Sequence, residues 1–257
     1  MAANDSPRIT ACVITLNEAD RIQACLASLS FCDEIVVVDS GSTDDTARLA
    51  AEHGARVLQR AFDGYRTQKD FAVHAARNDW VLCVDADERV TPALRASIEA
   101  ARNGGFDVSG YRFARLTEYF GAFLRHGNAY PDRVLRLFDR RRGGFRGERE
   151  IHEHASVDGP VRTLGGDLEH HAYRSLSDQL GRLERYARLM AEHQHASGRN
   201  AHLYNVVLNP FWRFLRGYIL RAGFLDGWRG LVYAYVEANY VRQKFIKLWL
   251  LQRGFRL

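Results

Sequence analysis

The chain predicts a doubly wound, mostly parallel α/β sheet followed by a helical C-terminal extension. Three observations carry that expectation. Apolar runs of strand length alternate with helical patterns from Ile9 to Gly104; two of those runs end in aspartate, at Asp39 and Asp85; and apolar spacing turns helical from Leu176 onward.

Ile9 to Thr15 reads as a strand, Glu18 to Leu29 as an amphipathic helix and Ile35 to Asp39 as a second strand. Ser42 is placed to cap a helix reaching His53, with Asp45 in its first turn and Gly54 as its stop. Arg56 to Gln59 reads as a short strand, Tyr65 to Ala76 as a helix, Trp80 to Asp85 as a buried strand, and Thr91-Pro92 as the start of a helix ending near Gly104. After Gly110 the rhythm changes. Tyr111 to Leu116 and Arg133 to Phe138 alternate like antiparallel strands. Helical spacing then runs from Leu176 to His195 and again from Phe211. In that last segment Phe211, Phe214, Leu215, Tyr218, Ile219 and Ala222 share one face, with Arg213 opposite and Arg216 and Arg221 flanking. Leu225 to Trp228 reads as a turn before the helical stretch Leu231 to Leu251. The expected division is an α/β domain over residues 1–175 and a helical extension over 176–257.

With 257 residues the chain can bury a full core, and its net charge of +5 suits phosphorylated small molecules, an anionic membrane or nucleic acid. The excess is uneven: beyond Arg199 the acids are Asp226 and Glu237 alone, against nine later arginines and lysines beginning with Arg213. Cys12, Cys25, Cys32 and Cys83 lie in apolar surroundings without Cys-x-x-Cys spacing, which argues for reduced packing residues over zinc or disulfides. The start, Met1 to Arg8, lacks a signal-peptide core, and no uncharged apolar run approaches the roughly 18 residues of a membrane span. The expected location is cytoplasmic.

The segment Trp80-Val-Leu-Cys-Val-Asp85-Ala-Asp87 delivers two carboxylates at a strand end. In an extended chain alternate residues point the same way, so Asp85 and Asp87 are expected to converge on one cation. Hard oxygen ligands suit Mg²⁺ or Mn²⁺ bridging to phosphates, whereas an isolated Asp-x-Asp more often marks a solvated turn or a cap. Thr15-Leu16-Asn17-Glu18 follows the first strand at the same sheet edge, and Asn17 alternatively caps a helix beginning at Glu18. Asp39 offers an acceptor for a base or ribose donor; Gly41 permits a tight turn beside it.

Ile14-Thr15-Leu16-Asn17-Glu18, Val38-Asp39-Ser40-Gly41-Ser42-Thr43-Asp44 and Asp85-Ala86-Asp87 together resemble, in order and spacing, the motifs of family 2 inverting glycosyltransferases. Gln68 to Ala72, Tyr130 to Arg133, Arg136 to Phe138 and Ile151-His152-Glu153 resemble the branch containing lipopolysaccharide core β-1,4-glucosyltransferases. The resemblance implies a GT-A-type fold. It implies that Thr15, Leu16, Glu18 and Asp39 hold the nucleobase and ribose, with Asn17, Gly41 and Ser42 in the same loops and Asp85 near the ribose or metal. Asp87 becomes the principal metal ligand, and His170, ahead of Ala172-Tyr-Arg-Ser175, completes the coordination. Lys69 lies in a helix beside the nucleotide, where its ammonium meets a phosphate, or else is a solvated helix lysine.

Inverting transfer needs a base that deprotonates the acceptor hydroxyl as it attacks the anomeric carbon. Glu153 is the first choice, with Glu150 and Glu148 as competitors; if the segment is extended, Glu148 and Glu150 share the face opposite Glu153. The implied reaction moves a hexose, glucose from UDP-glucose, onto a lipid-linked glycan such as the lipopolysaccharide inner core, at an anionic membrane surface. A polyprenyl-phosphate or capsule glycosyltransferase is the near alternative. A sugar nucleotidyltransferase is more distant, because no glycine-rich basic phosphate loop follows the first strand. A non-catalytic membrane-binding module is a further rival, and nucleic acid is disfavoured because the acidic clusters would repel its backbone.

Overall fold

A computed structural model describes residues 6–146 and 154–257. The elements in chain order are β1 (Ile9–Thr15), α1 (Ile22–Ser28), β2 (Glu34–Asp39), α2 (Thr46–Glu52), β3 (Arg56–Gln59), α3 (Tyr65–Ala75), β4 (Trp80–Asp85), β5 (Glu88–Val90) and α4 (Pro92–Asn103). There follow β6 (Gly110–Tyr119), β7 (Ala122–Phe123), β8 (Asp132–Asp139), β9 (Gly143–Arg146), β10 (His154–Val157), β11 (Val161–His170), α5 (Leu176–Ala196), α6 (Leu203–Leu215) and α7 (Gly227–Leu251). The backbone groups into two compact units. One comprises residues up to Arg115 with Asp132–His170, the other Leu116–Pro131 with His171–Leu257.

The first unit is built on the sheet order β3-β2-β1-β4-β8-β6-β11-β5. Its first four strands are parallel, joined by helices as the βα alternation predicts. β8 then pairs antiparallel with β4 and with β6, the change anticipated after Gly110, and β5 pairs antiparallel with β11. The architecture is the mixed α/β one expected, with its parallel half at the β3 end of the sheet.

Side-chain parity explains how the sheet is covered on both faces. Ile9, Ala11 and Val13 of β1 join Leu82 and Val84 of β4 in one core with Ile22 and Leu26 of α1 and Leu94 and Ile98 of α4. Cys12, Val36, Val38, Val81 and Cys83 point the other way, onto Ala72 and Val73 of α3 and onto Phe138 and Phe145. Asp85 has the parity of Val81 and Cys83, so its carboxylate emerges on the α3 side. The cysteines are free thiols, three of them buried, as packing residues should be.

In the helical unit, α7 carries the core: Leu248 is buried with Ala191 of α5 and Ala201, flanked by Phe245 and Trp249. Gly230 has no Cβ because one would collide with the Gly223 carbonyl. Ser175 caps α5, its hydroxyl accepting from the Asp178 N–H at 3.1 Å. The helix expected from Phe211 begins earlier, at Leu203, and stops at Leu215; Arg216–Leu220 form a π-helical turn and Ala222 is left-handed at φ 55°. The face drawn from Phe211 to Ala222 is therefore not one straight helical face. Among the described residues no helix is long and apolar enough to cross a membrane.

Candidate active site

Parallel pairing aligns the loop-bearing ends of three strands. Thr15 is level with Asp39, and Ile14 with Asp85, so the loops after β1, β2 and β4 meet at one sheet edge. Asp39 is fully buried, and its carboxylate accepts bonds from the Ser42 hydroxyl, the Ser42 N–H at 3.0 Å and the Gly41 N–H at 3.3 Å. Gly41 makes this reversal at φ 91°, a conformation that favours glycine. Ser42 therefore braces Asp39, and α2, expected to start from a Ser42 cap, begins only at Thr46.

The two loops are bolted together. The Asn17 N–H donates to Ser42 Oγ at 2.9 Å, Asn17 Oδ1 accepts from the Thr43 N–H at 2.8 Å, and the Glu18 N–H donates to Thr46 Oγ1 at 2.8 Å. Asn17 is not the cap of a helix at Glu18, because α1 starts at Ile22; at φ 54° it turns its amide across to the second loop instead. Leu16 is exposed beside it. Two buried acceptors at this edge, Thr15 Oγ1 and Gln68 Oε1, have no hydrogen-bond partner among the described residues.

Asp85 sits in an ion cluster. Its Oδ2 lies 2.8 Å from Arg136 Nη2 and its Oδ1 3.1 Å from Lys69 Nζ. The same Arg136 nitrogen reaches Oε1 of Glu88, a fully buried carboxylate, at 2.9 Å, while Glu88 Oε2 accepts from the Asp85 N–H at 2.9 Å. Arg115 extends the chain of charges from Glu88, at 3.5 Å, to Asp132, at 2.6 Å. Burial opposes ionisation of Asp85, but the guanidinium of Arg136 and the ammonium of Lys69 outweigh it and hold the carboxyl well below its usual range. Lys69 is buried, so the solvated-lysine alternative does not hold.

Asp87 is not reached by extension of β4. The strand ends at Asp85, Ala86 and Asp87 form a turn, and the chain resumes as β5 at Glu88. This corrects the expected same-face geometry: the carboxylates are brought near each other by a turn and have different neighbours. Asp87 Oδ2 lies 3.6 Å from His170 Nε2 and 4.0 Å from Arg21 Nη1. The His170 contact follows from strand register, since His170 pairs with Glu88 in the β5–β11 ladder. Burial again opposes ionisation, and the His170 imidazole offsets it, so the Asp87 carboxyl lies below its usual range.

Among the described residues no three His, Cys, Asp or Glu side chains form a metal-holding group. Asp87 and His170 are a partial set. A hard divalent cation held by them would need further oxygen ligands from outside this pair. Glu148, Glu150 and Glu153 lie outside the described residues. Arg136, Glu88, Arg21 and Arg115 were not anticipated as site residues. Arg136 left one signal, a lone cation in the apolar alternation Val134-Leu-Arg-Leu-Phe138, and it marks the face where α3 and Asp85 lie.

A family model described as Glycosyl transferase family 2 matches residues 10–164. The lipopolysaccharide core biosynthesis glycosyltransferase LpsC of Rhizobium meliloti (strain 1021) is 31% identical over 249 residues, covering 92% of each chain. An uncharacterized glycosyltransferase of Rickettsia typhi (strain ATCC VR-144 / Wilmington) is 29% identical over 210 residues, 78% of this chain and 72% of its own. Among solved structures, glucosyl-3-phosphoglycerate synthase from Mycobacterium tuberculosis, in complex with Mg²⁺ and UDP, superposes with a TM-score of 0.50 at 18% identity over 77% of this chain and 82% of that one. That likeness concerns the fold.

Proposed function

Because this chain belongs to glycosyl transferase family 2 and is a glycosyltransferase, we propose that it moves a hexose, glucose from UDP-glucose, with inversion, onto a sugar of a lipid-linked glycan of the lipopolysaccharide inner-core type. The convergence of Asp39, Asp85 and the Asp87–His170 pair at one sheet edge carries this reading. Similarity to LpsC along nearly the whole chain supports the acceptor class.

In this reading Thr15, Leu16, Asn17 and Glu18 border the base, and Asp39, Gly41 and Ser42 fix the loop that receives it. Asp85 lines the ribose and diphosphate end, held there by Arg136 and Lys69. Asp87 and His170 are the residues that would hold Mg²⁺ or Mn²⁺. When bound, such a cation supplies Lewis-acid stabilisation of charge on the departing diphosphate. A carboxylate of the 148–153 segment, Glu153 first, takes the acceptor proton. The protein works peripherally at the cytoplasmic face of an anionic membrane, where its acceptor resides.

A donor screen reading nucleotide diphosphate release, with Mn²⁺ or Mg²⁺ and with or without lipopolysaccharide acceptor, tests the reading. Acceptor-dependent release from UDP-glucose is expected; folded protein inert toward every donor would overturn it. Glu153→Gln is expected to lower transfer about 10²–10⁴-fold, the usual worth of a general base. If it retains wild-type turnover, the role passes to Glu150 or Glu148. His170→Ala is expected to raise the Mn²⁺ concentration for half-maximal activity at least about tenfold, as loss of a metal-site partner does; an unchanged metal titration would remove His170 from the coordination.

A further inference from the structure

In the helical unit, α6 presents a run of exposed apolar side chains. Leu203, Tyr204, Val207, Leu208, Phe211 and Trp212 are each between 55 and 65% exposed. At about 100° per residue they cover roughly half the helix circumference. An exposed face this wide and apolar marks an interaction surface. The one charged residue of α6, Arg213, turns inward to Glu237 of α7. Exposed Leu220, Leu225 and Trp228 continue the apolar character beyond the helix end.

Charge distinguishes the possible occupants. Both acids beyond Arg199 are withdrawn: the Asp226 side chain, 8% exposed, accepts from the His126 N–H at 2.9 Å, and Glu237, 12% exposed, is held by Arg213. Arg216 is exposed one helical turn beyond Trp212, and Arg221 and Arg229, both half-buried, follow it along the chain. This basic end of the apolar run, with its acids withdrawn, repels a second copy of itself and attracts anionic headgroups. Arg229 also stacks over the Trp228 ring at 4.6 Å, an aromatic and basic pairing suited to an interface with one wet side.

We propose that α6 and the turn after it form an in-plane anchor lying in the headgroup region of an anionic bilayer, with Phe211 and Trp212 toward the acyl chains. The 13 residues of α6 reach about 20 Å at roughly 1.5 Å each, too short to span. This surface differs from the face expected from sequence. Phe214 packs on Tyr218, and Tyr218 on Phe224, with ring centroids 5.3 and 6.3 Å apart, so those rings serve the unit's own packing. The proposal rests on the reading above only in that a lipid-linked acceptor gives the anchor its purpose.

Full-length protein is mixed, without substrate, with vesicles of phosphatidylcholine alone or with added phosphatidylglycerol, and the bound fraction is read by cosedimentation. The wild type is expected to partition onto the anionic vesicles. Phe211→Ser with Trp212→Ser should lower that partition more than tenfold, and Arg216→Ala about fivefold on anionic vesicles only. Both sites are exposed, and circular dichroism confirms folding. No wild-type binding to anionic vesicles, or unchanged partition of the double variant, would overturn the anchor. So would a wild-type dimer that the double variant dissociates while vesicle binding persists, which assigns the face to a second copy. Transfer to a delipidated, water-soluble acceptor should be equal in wild type and double variant; if neither turns over, the proposed reaction fails while the vesicle result stands.

Discussion

Asp87→Asn is expected to lower kcat/KM for sugar transfer by about 10³-fold or more, the rate equivalent of the several kcal/mol that a cation supplies to a leaving diphosphate. The substitution keeps the size of the side chain and removes the charge opposite His170. Asp87 sits in the turn between β4 and β5, outside the apolar clusters, so the fold should persist, and circular dichroism checks this. Diphosphate release is measured across a Mn²⁺ series. A ligand role predicts that part of the lost rate returns at high metal. Turnover within tenfold of wild type at ordinary metal concentration would exclude Asp87 as the principal ligand.

The second large effect concerns stability. Arg136→Met is expected to cost about 3–5 kcal/mol, because removing one partner of a buried ion pair leaves the other charge uncompensated. Here two carboxylates are left, Asp85 and the fully buried Glu88. Urea unfolding at neutral pH reads the loss; a shift under 1 kcal/mol would mean that water or Lys69 already compensates the site. Adding Glu88→Gln should return part of the loss, a coupling the double-mutant cycle isolates. The pH dependence has a definite sign. The folded Asp85 carboxyl titrates below its unfolded value of about 3.9, so its contribution is complete above that pH and is lost as pH falls toward the lower folded value. Arg136→Met should weaken that acid-side dependence along with the stability.

The parallel half was legible because its signals are local. Apolar runs, glycine stops and the Thr91-Pro92 start place β1 to β4 and α4 within a residue or two. Helix starts were misplaced where a polar side chain had two possible employers. Asn17 and Ser42 both suit caps, and both instead serve the crosslink between the first two loops, a contact spanning 25 residues. The partners of the aspartates were hidden for a similar reason: Arg136 lies 51 residues from Asp85 along the chain. β5 has three residues, too few to show a period, so Asp85 to Asp87 looked like continuous strand. The sequence pattern of α6 shows an amphipathic helix but not which face its own neighbours use.

The short β5 strand also has a consequence for how the two carboxylates are held. Its one ladder partner among the described residues is β11, and His170 is the last residue of that strand. Asp85 is placed by the pairing of β4 with β1. The Asp87–His170 pair depends on a separate closure, of β11 onto β5 across the antiparallel half. Asp85 and the Asp87–His170 pair thus depend on different strand pairings. A chain released at residue 164, where the family match ends, would carry every motif yet lack the strand end that supplies His170.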